Sequence, residues 1–242
     1  MNCNHYSEMN IFEEGLNNLG ITLTDRQKQQ FIDYYELLIE WNNVMNLTAI
    51  TDLKEVIVKH FIDSLSLVKV YEPLSQKVLD MGTGAGFPGI PLKIAFPELD
   101  MILVDSLKKR ITFLNEVINK LSLKNIITIH GRAEDLGHDI LYREKFDLCV
   151  SRAVAKLSSL SEYCLPFVKR NGYFISYKSD KIEEELLQSK RAFEILGAEV
   201  ESVAEFELPG SDMRRTMILI HKNKVTPHKY PRSAGKPTKE PL

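Results

Sequence analysis

The chain has 242 residues, 44% hydrophobic and 26% charged, with 31 Lys plus Arg against 33 Asp plus Glu. That length buries one substantial core plus appendages, and the composition is ordinary for a soluble globular protein. A net charge of −2 excludes a global attraction to nucleic acid, so any RNA binding must rest on a concentrated local patch.

Met1 to Glu8 lacks the basic and apolar regions of a signal peptide. No apolar run reaches the length of a membrane span. Cys3, Cys149 and Cys164 show neither CxxC spacing nor a metal set with the six scattered histidines, which fits a reducing cytosol. A soluble cytoplasmic protein without a metal centre is expected. Residues 9 to 70 read as helical throughout. Thr24 is placed to cap a long segment in which Phe31, Tyr34, Tyr35, Leu38, Ile39, Trp41, Val44 and Met45 recur at helical spacing, a stripe that reads as core packing. Asn46 to Thr51 breaks that helix, and Thr51 or Asp52 caps the next one. There His60 and Asp63 stand on neighbouring faces at i, i+3. With no partner set evident in the sequence, His60 reads as structural. Residues 1–70 are expected to form a helical cap packed on the main domain.

Lys77 to Gly89 organises the rest. Val78 and Leu79 read as the end of a buried strand, Asp80 stands at its carboxyl end, and Gly82, Gly84 and Gly86 follow at every second position. Phe87 to Leu92 then starts a helix, so strand, glycine loop and helix N-terminus together make a nucleotide-binding crevice. A dinucleotide fingerprint wants G-x-G-x-x-G, whereas position 87 holds a bulky Phe. An acid on the leading strand with glycine at every second position is more typical of S-adenosylmethionine enzymes, whose loop wraps the methionyl part and adenosine. Asp105 ends the apolar run Met101–Val104 about twenty residues beyond the loop, where an acid binds ribose hydroxyls; it also suits the N-cap of the following helix.

From residue 77 the pattern alternates. Strands are expected at 101–104, 126–129, 146–150 and 172–177, and helices near 107–121, 157–168 and 181–196, with Glu183, Glu184 and Glu185 a solvated face. Cys149 falls in the fourth strand as a core residue. Two late runs, 199–206 and 216–221, face each other across Leu208-Pro209-Gly210-Ser211 as an antiparallel pair would. The expectation is an α/β protein with an open, mostly parallel sheet, helices on both faces and a terminal hairpin. The methyl-transfer domain would span residues 71–222, leaving residues 223–242 as a basic, proline-rich tail. In that tail Pro227, Pro231, Pro237 and Pro241 exclude helix, and Tyr230-Pro231-Arg232 pairs a ring with a cation, which suits stacking on bases and contact with phosphate.

Several motifs together resemble one family: Asn46-Leu47-Thr48-Ala49-Ile50, Lys59-His60-Phe61-Ile62-Asp63-Ser64, Leu79 through Gly89, Val104-Asp105-Ser106, Arg132-Ala133-Glu134, Ser151-Arg152-Ala153-Val154-Ala155 and Tyr230-Pro231-Arg232. It is the bacterial ribosomal RNA small subunit methyltransferase G family, also called glucose-inhibited division protein B. The likeness runs from about residue 10 to the end. It implies a Rossmann-like class I methyltransferase with a seven-stranded sheet, and transfer of a methyl group from S-adenosylmethionine to N7 of guanine 527 in 16S rRNA, leaving S-adenosylhomocysteine. It also implies that Gly82, Phe87, Asp105, Ser106, Leu107, Ala133, Glu134 and Arg152 border the cofactor, to which the reading of the loop itself adds Asp80, Gly84 and Gly86. The family often carries Val or Ile where this chain has Met81.

The residues agree with that chemistry. Guanine N7 has an in-plane lone pair and no proton, so no general base is needed, and no His/Asp or Cys/His constellation is evident. Exocyclic-amine enzymes resemble one another in an Asn/Asp-Pro-Pro-aromatic turn after strand four, where this chain has Ser151-Arg152-Ala153-Val154. Carbon-5 pyrimidine enzymes need a nucleophilic Cys at the cleft, which neither Cys149 nor Cys164 offers. Ring-nitrogen and ribose chemistry both survive. Arg152 is placed to anchor the cofactor's carboxylate or a substrate phosphate. RNA is expected to meet Arg152, Lys178, Arg232 and Lys236 at the cleft mouth, with Tyr230 stacking, and the partner is 16S rRNA or a small-subunit particle, bound by a monomer. An NAD-dependent or nucleotide-sugar oxidoreductase and a non-catalytic RNA-binding module remain as alternatives.

Overall fold

The computed structural model describes residues 6–152, 155–179 and 182–242. Cys3, and Ala153 and Val154 of the strand-four motif, lie outside the described residues, as does the first residue expected in the helix at 181–196. Helix α1 (Tyr6–Leu19) leads to α2 (Asp25–Met45), which starts on a reciprocal cap: Thr24 Oγ1 accepts from Gln27 N at 3.3 Å while Thr24 N donates to Gln27 Oε1 at 2.8 Å. Asn46 ends α2 in the left-handed region at φ 52°, and Asn42 Oδ1 accepts from Leu47 N and Thr48 N, which turns the chain. Asp52, rather than Thr51, caps α3 (Leu53–Val56) through Glu55 N at 3.0 Å. The helix then widens into a π-helical turn, Ile57–Ile62, and continues through α4 (Asp63–Leu65) and a 3₁₀ turn, Ser66–Lys69. A π turn inside a helix often marks a functional position.

Seven strands follow: β1 (Lys77–Met81), β2 (Asp100–Asp105), β3 (Ile126–His130), β4 (Phe146–Ser151), β5 (Val168–Lys178), β6 (Ala198–Glu207) and β7 (Arg214–Lys222). They lie in the order β3-β2-β1-β4-β5-β7-β6, with β7 antiparallel to both β5 and β6 and every other pairing parallel. Between β1 and β4 the order reverses, which opens a crevice at the carboxyl ends of the strands. Side chains of β1 alternate between two cores. Val78 joins Phe31, Tyr34 and Phe61 of the N-terminal helices with α5 (Gly89–Ala95) and α6 (Lys108–Lys120), while Leu79 and Met81 join α7 (Ala133–Leu136), α8 (Leu157–Cys164) and α9 (Glu183–Leu196) on the other face. The N-terminal helices are pinned by Gln27 Nε2, which donates to Ile94 O at 2.8 Å and Ala95 O at 3.1 Å.

Three expectations change. The helix from 157 stops at Cys164, gives one 3₁₀ turn around Pro166, and yields to β5 four residues before the expected strand, because Val168 pairs with Phe146 across a register shift. Glu185 is not simply solvated: its Oε1 accepts from Leu157 N at 2.5 Å and Lys178 Nζ at 2.7 Å. The tail prolines do not exclude helix, since Pro237 sits in the first turn of α10 (Lys236–Lys239), where its missing N–H costs no helical bond.

Candidate active site

The glycine loop is wound around Asp80. This carboxylate is fully buried, and its Oδ2 accepts from Thr83 Oγ1 at 2.6 Å and Gly89 N at 2.8 Å. Burial pushes its pKa up to about 7, against those two hydrogen bonds. Its Oδ1 finds no partner among the described residues. A Cβ at Gly89 would stand 2.7 Å from Asp80 Oδ2, so the helix start must come this close. Across the loop, Gly82 N and Thr83 N donate to Val104 O at 2.9 and 3.1 Å, and Gly84 N donates to Asp105 Oδ2 at 3.0 Å.

Two cavities share Ala155 as a common wall. The smaller, about 300 Å³, is walled by Gly82 and Met81, by Asp105, Ser106 and Arg110, by Ala133 and Glu134 on α7, and by Leu160 and Tyr163 on α8. Asp105 is held rigidly, with Oδ1 accepting from Leu107 N at 2.8 Å and Oδ2 paired with Arg110 Nη1 at 3.1 Å. The larger, about 690 Å³, is lined by the π turn (Lys59, His60, Asp63), by Arg152 and Lys156, by Tyr177 and Lys178 at the end of β5, and by Arg215 on β7. Ala155 borders both.

The larger cavity is organised by Asp63, whose Oδ2 pairs with Arg152 Nη1 at 2.8 Å and Oδ1 with Arg215 Nε at 2.7 Å. Arg152 also donates to Lys59 O at 2.9 Å and reaches His60 Nδ1 at 3.1 Å, with its guanidinium 5.0 Å from the Phe87 ring centre. His60 Nδ1 also lies 3.0 Å from Lys59 O, and Nε2 lies 3.0 Å from Thr48 Oγ1, so both ring nitrogens are engaged within the protein. Burial, then the facing Arg152 charge, push the His60 pKa down to about 3, and the neutral ring stacks on Phe87 at 4.4 Å.

The expected site residues separate on this geometry. Gly82, Asp105, Ser106, Ala133 and Glu134 meet around the smaller cavity. Gly84, bonded through its N–H to Asp105 of that wall, has φ +63° and open space where a Cβ would go. Asp80 lies beneath the loop and shapes it. At Gly86 a Cβ would meet Tyr34 Oη at 2.7 Å, and Tyr34 donates to Ala85 O at 2.5 Å, so this glycine serves the contact with α2. Phe87 is buried beneath His60 and Arg152, and Leu107 is exposed beside the cavity, with its N–H on Asp105. Arg152 and Lys178 stand in the larger cavity.

The tail candidates divide too. Tyr230 is buried in the core, so its ring is not offered to bases, and Arg232 is bound to the fully buried Glu162 at 2.6 Å. Lys236 is exposed. Reading His60 as structural missed its partners, Thr48, Arg152 and Phe87, all distant in sequence. Arg110, Lys156, Tyr163 and Arg215 were not singled out, and only the His60–Asp63 spacing gave a signal. Among the described residues, no group of His, Cys, Asp and Glu is arranged to hold a metal, and no helix is long and apolar enough to cross a membrane.

The strand order and glycine loop define a Rossmann-like class I methyltransferase. Solved structures share that fold: an S-adenosylmethionine-dependent methyltransferase of Aquifex aeolicus (TM-score 0.52, 20% identical, covering 71% of this chain and 94% of that one) and the TYW2 protein of M. jannaschii in complex with AdoMet (TM-score 0.51, 18% identical, 62% and 70%). Residues 27–216 match the family described as rRNA small subunit methyltransferase G. Proteins named ribosomal RNA small subunit methyltransferase G are 59% identical in Lachnoclostridium phytofermentans, covering 96% of both chains, and 54% identical in Acetivibrio thermocellus, covering 95% and 94%. The chain belongs to the rRNA small subunit methyltransferase G family. Its methyl donor is S-adenosylmethionine, and the smaller cavity suits that group: a glycine loop with room above Gly84, rigid Asp105 for vicinal hydroxyls, and the Glu134 carboxylate for an amino group.

Proposed function

We propose that this protein transfers a methyl group from S-adenosylmethionine to N7 of guanine 527 in 16S rRNA, as a cytoplasmic monomer. The donor supplies an electrophilic methyl on a sulfonium. Adenosine lies in the smaller cavity, between Asp105 and Glu134, and the target nucleotide enters the larger one. Ala155 borders both cavities, so the methyl is presented from one to the other beside it.

The observation that carries this reading is that the larger cavity is cationic and that, among the described residues, no side chain lining it is free to take a proton. Five cations line it (Lys59, Arg152, Lys156, Lys178 and Arg215) against two carboxylates (Asp63 and Glu185), a balance that favours a phosphate-bearing acceptor. Asp63 is capped by two guanidiniums, both His60 nitrogens are engaged by Lys59 O, Arg152 and Thr48, Glu185 is held by Lys178, and Tyr177 donates to Ser64 O at 2.8 Å. Such a site matches a nucleophile with no proton to lose. As the N7 lone pair forms the N–C bond, the C–S pair returns to sulfur and the positive charge passes to the purine, where no base is needed. The residues supply alignment and exclusion of water.

Transfer of labelled methyl to 16S rRNA from cells lacking this enzyme, followed by cleavage specific for N7-methylguanine, tests the proposal. Label at one guanine, sensitive to that cleavage, is expected. Label on an exocyclic amine or a ribose would overturn it.

A further inference from the structure

The C-terminal segment bridges the two walls of the smaller cavity. On the α7 side, Gly235 N donates to Glu134 Oε1 at 2.9 Å, and His138 Nε2 donates to Pro231 O at 2.7 Å. Arg143, just beyond α7, ties the same segment through Tyr230 O at 2.8 Å and Thr226 O at 2.7 Å. Contact is close enough that a Cβ at Gly137 would stand 2.7 Å from Pro231 Cδ. On the α8 side, Arg232 grips Glu162 in a two-pronged pair, Nη2 to Oε2 at 2.6 Å and Nε to Oε1 at 2.9 Å, and its backbone N adds a third bond at 2.7 Å. Ser159 Oγ donates to Pro237 O at 2.7 Å, and Tyr163 Oη and Thr238 Oγ1 are 2.8 Å apart.

Both Glu134 and Tyr163 face the cavity, and each touches the segment directly. A fully buried carboxylate such as Glu162 is tolerated only with a partner of this quality, so the clip holds one geometry. We infer that residues 230–242 are a positioning element of the cofactor site: they fix the spacing of α7 and α8 and hold the Glu134 carboxylate, with Arg232 as the principal positioning residue. The inference rests on the reading that the smaller cavity receives adenosine. It assigns the inward face of the tail to the donor, where its charge and aromatic content alone suggested RNA.

The test uses the full chain. Arg232→Met alone strands Glu162, so the informative variant is Arg232→Met with Glu162→Met, which removes both charges. It is expected to bind S-adenosylhomocysteine about tenfold more weakly by calorimetry well below its Tm, the loss expected for a displaced charge-assisted hydrogen bond. KM for the donor should rise with little change in kcat at saturation, and Arg232→Lys should retain most of the affinity. Unchanged S-adenosylhomocysteine affinity in the folded double variant overturns the inference, even with a lowered Tm. So does a loss of rRNA affinity and salt dependence at unchanged donor affinity. If the double variant does not fold, deletion of residues 236–242 removes the Pro237 and Thr238 contacts with α8 and is read the same way. Glu134→Ala separates the two readings. If it weakens S-adenosylhomocysteine while the clip variants do not, only the clip fails; if it has no effect, the cavity assignment fails and the clip with it.

Discussion

The two cavities beside the strand-order reversal are built by different means. The smaller is made from the ends of β1, β2 and β3, and its polar groups meet through backbone hydrogen bonds such as Gly84 N to Asp105 and Leu107 N to Asp105. The larger is assembled from side-chain charges far apart in the chain: Asp63 is 89 residues from Arg152 and 152 from Arg215. A site made of backbone is broken by filling its space. A site made of charge is broken by neutralising one side chain.

Gly84→Val should produce the largest effect. The residue holds φ +63°, strained for a β-branched side chain, and the new methyl groups would occupy the space above the loop. An S-adenosylhomocysteine affinity reduced by about a hundredfold is expected by calorimetry, roughly 2.7 kcal/mol. A folded variant that binds as the parent does would show that the ligand does not pass over the loop. Arg215→Met is the counterpart in the other cavity. There rRNA kcat/KM should fall about tenfold, as for one lost charge-assisted contact, with donor affinity unchanged. The salt dependence of rRNA binding should flatten by roughly 0.7 to 0.9 in log K per decade of salt, one phosphate contact. A loss of donor affinity instead would merge the two cavities into one site.

The same difference explains what the sequence revealed. The glycine loop, Asp105 and the Ala133–Glu134 turn could be read because a βα unit places its crevice residues at fixed spacing, and neighbouring parallel strands bring those turns together. The terminal hairpin was legible from two late runs facing each other across Leu208-Pro209-Gly210-Ser211. At Gly86 and Asp80 spacing tells that a glycine or a buried acid is required, but not which protein neighbours require it. Tyr34, 51 residues from Ala85, supplies the reason at Gly86. The Arg152–Asp63–Arg215 arrangement was illegible, since long-range charge pairs leave no periodicity. In the tail, Tyr230 and Arg232 have the composition of an RNA contact, and only packing shows that they face Glu162 and the core.

The charge-built cavity should also carry a pH signature. His60 has a folded pKa of about 3 against an ordinary 6.5, so below that ordinary value the unfolded chain binds more protons and stability is lost as pH falls. Between pH 6.5 and about pH 5 this amounts to ~2 kcal/mol. Asp80 works the other way: with a folded pKa of about 7 against 3.8, the native state holds the extra proton and stability is lost as pH rises from 3.8 to 7. In the parent the two slopes oppose each other across this window. His60→Phe keeps a ring against Phe87 and removes the first slope, so its urea-unfolding free energy should rise on going from pH 7 to pH 5, while the parent's stays nearly flat. Identical pH dependence in the two proteins would mean that burial and the facing Arg152 charge do not hold His60 neutral.

The smallest effect is expected at Lys236, the one tail candidate that faces solvent. Its ammonium lies 3.9 Å from Glu240 in an exposed pair, and both side chains are largely accessible, so the pair contributes little to stability. Lys236→Ala should therefore leave Tm and S-adenosylhomocysteine affinity unchanged within error, with a folding change under ~0.5 kcal/mol. The proposal that Lys236 meets an rRNA phosphate adds one measurable consequence, a flattening of the salt dependence by no more than one contact, roughly 0.7 to 0.9 per decade. Set beside the Arg232 and Glu162 double variant, this divides the segment into an inward face that serves the donor and an outward face that serves the acceptor. An unchanged salt slope in Lys236→Ala would remove the tail from the RNA-binding surface and leave that surface to the five cations of the larger cavity.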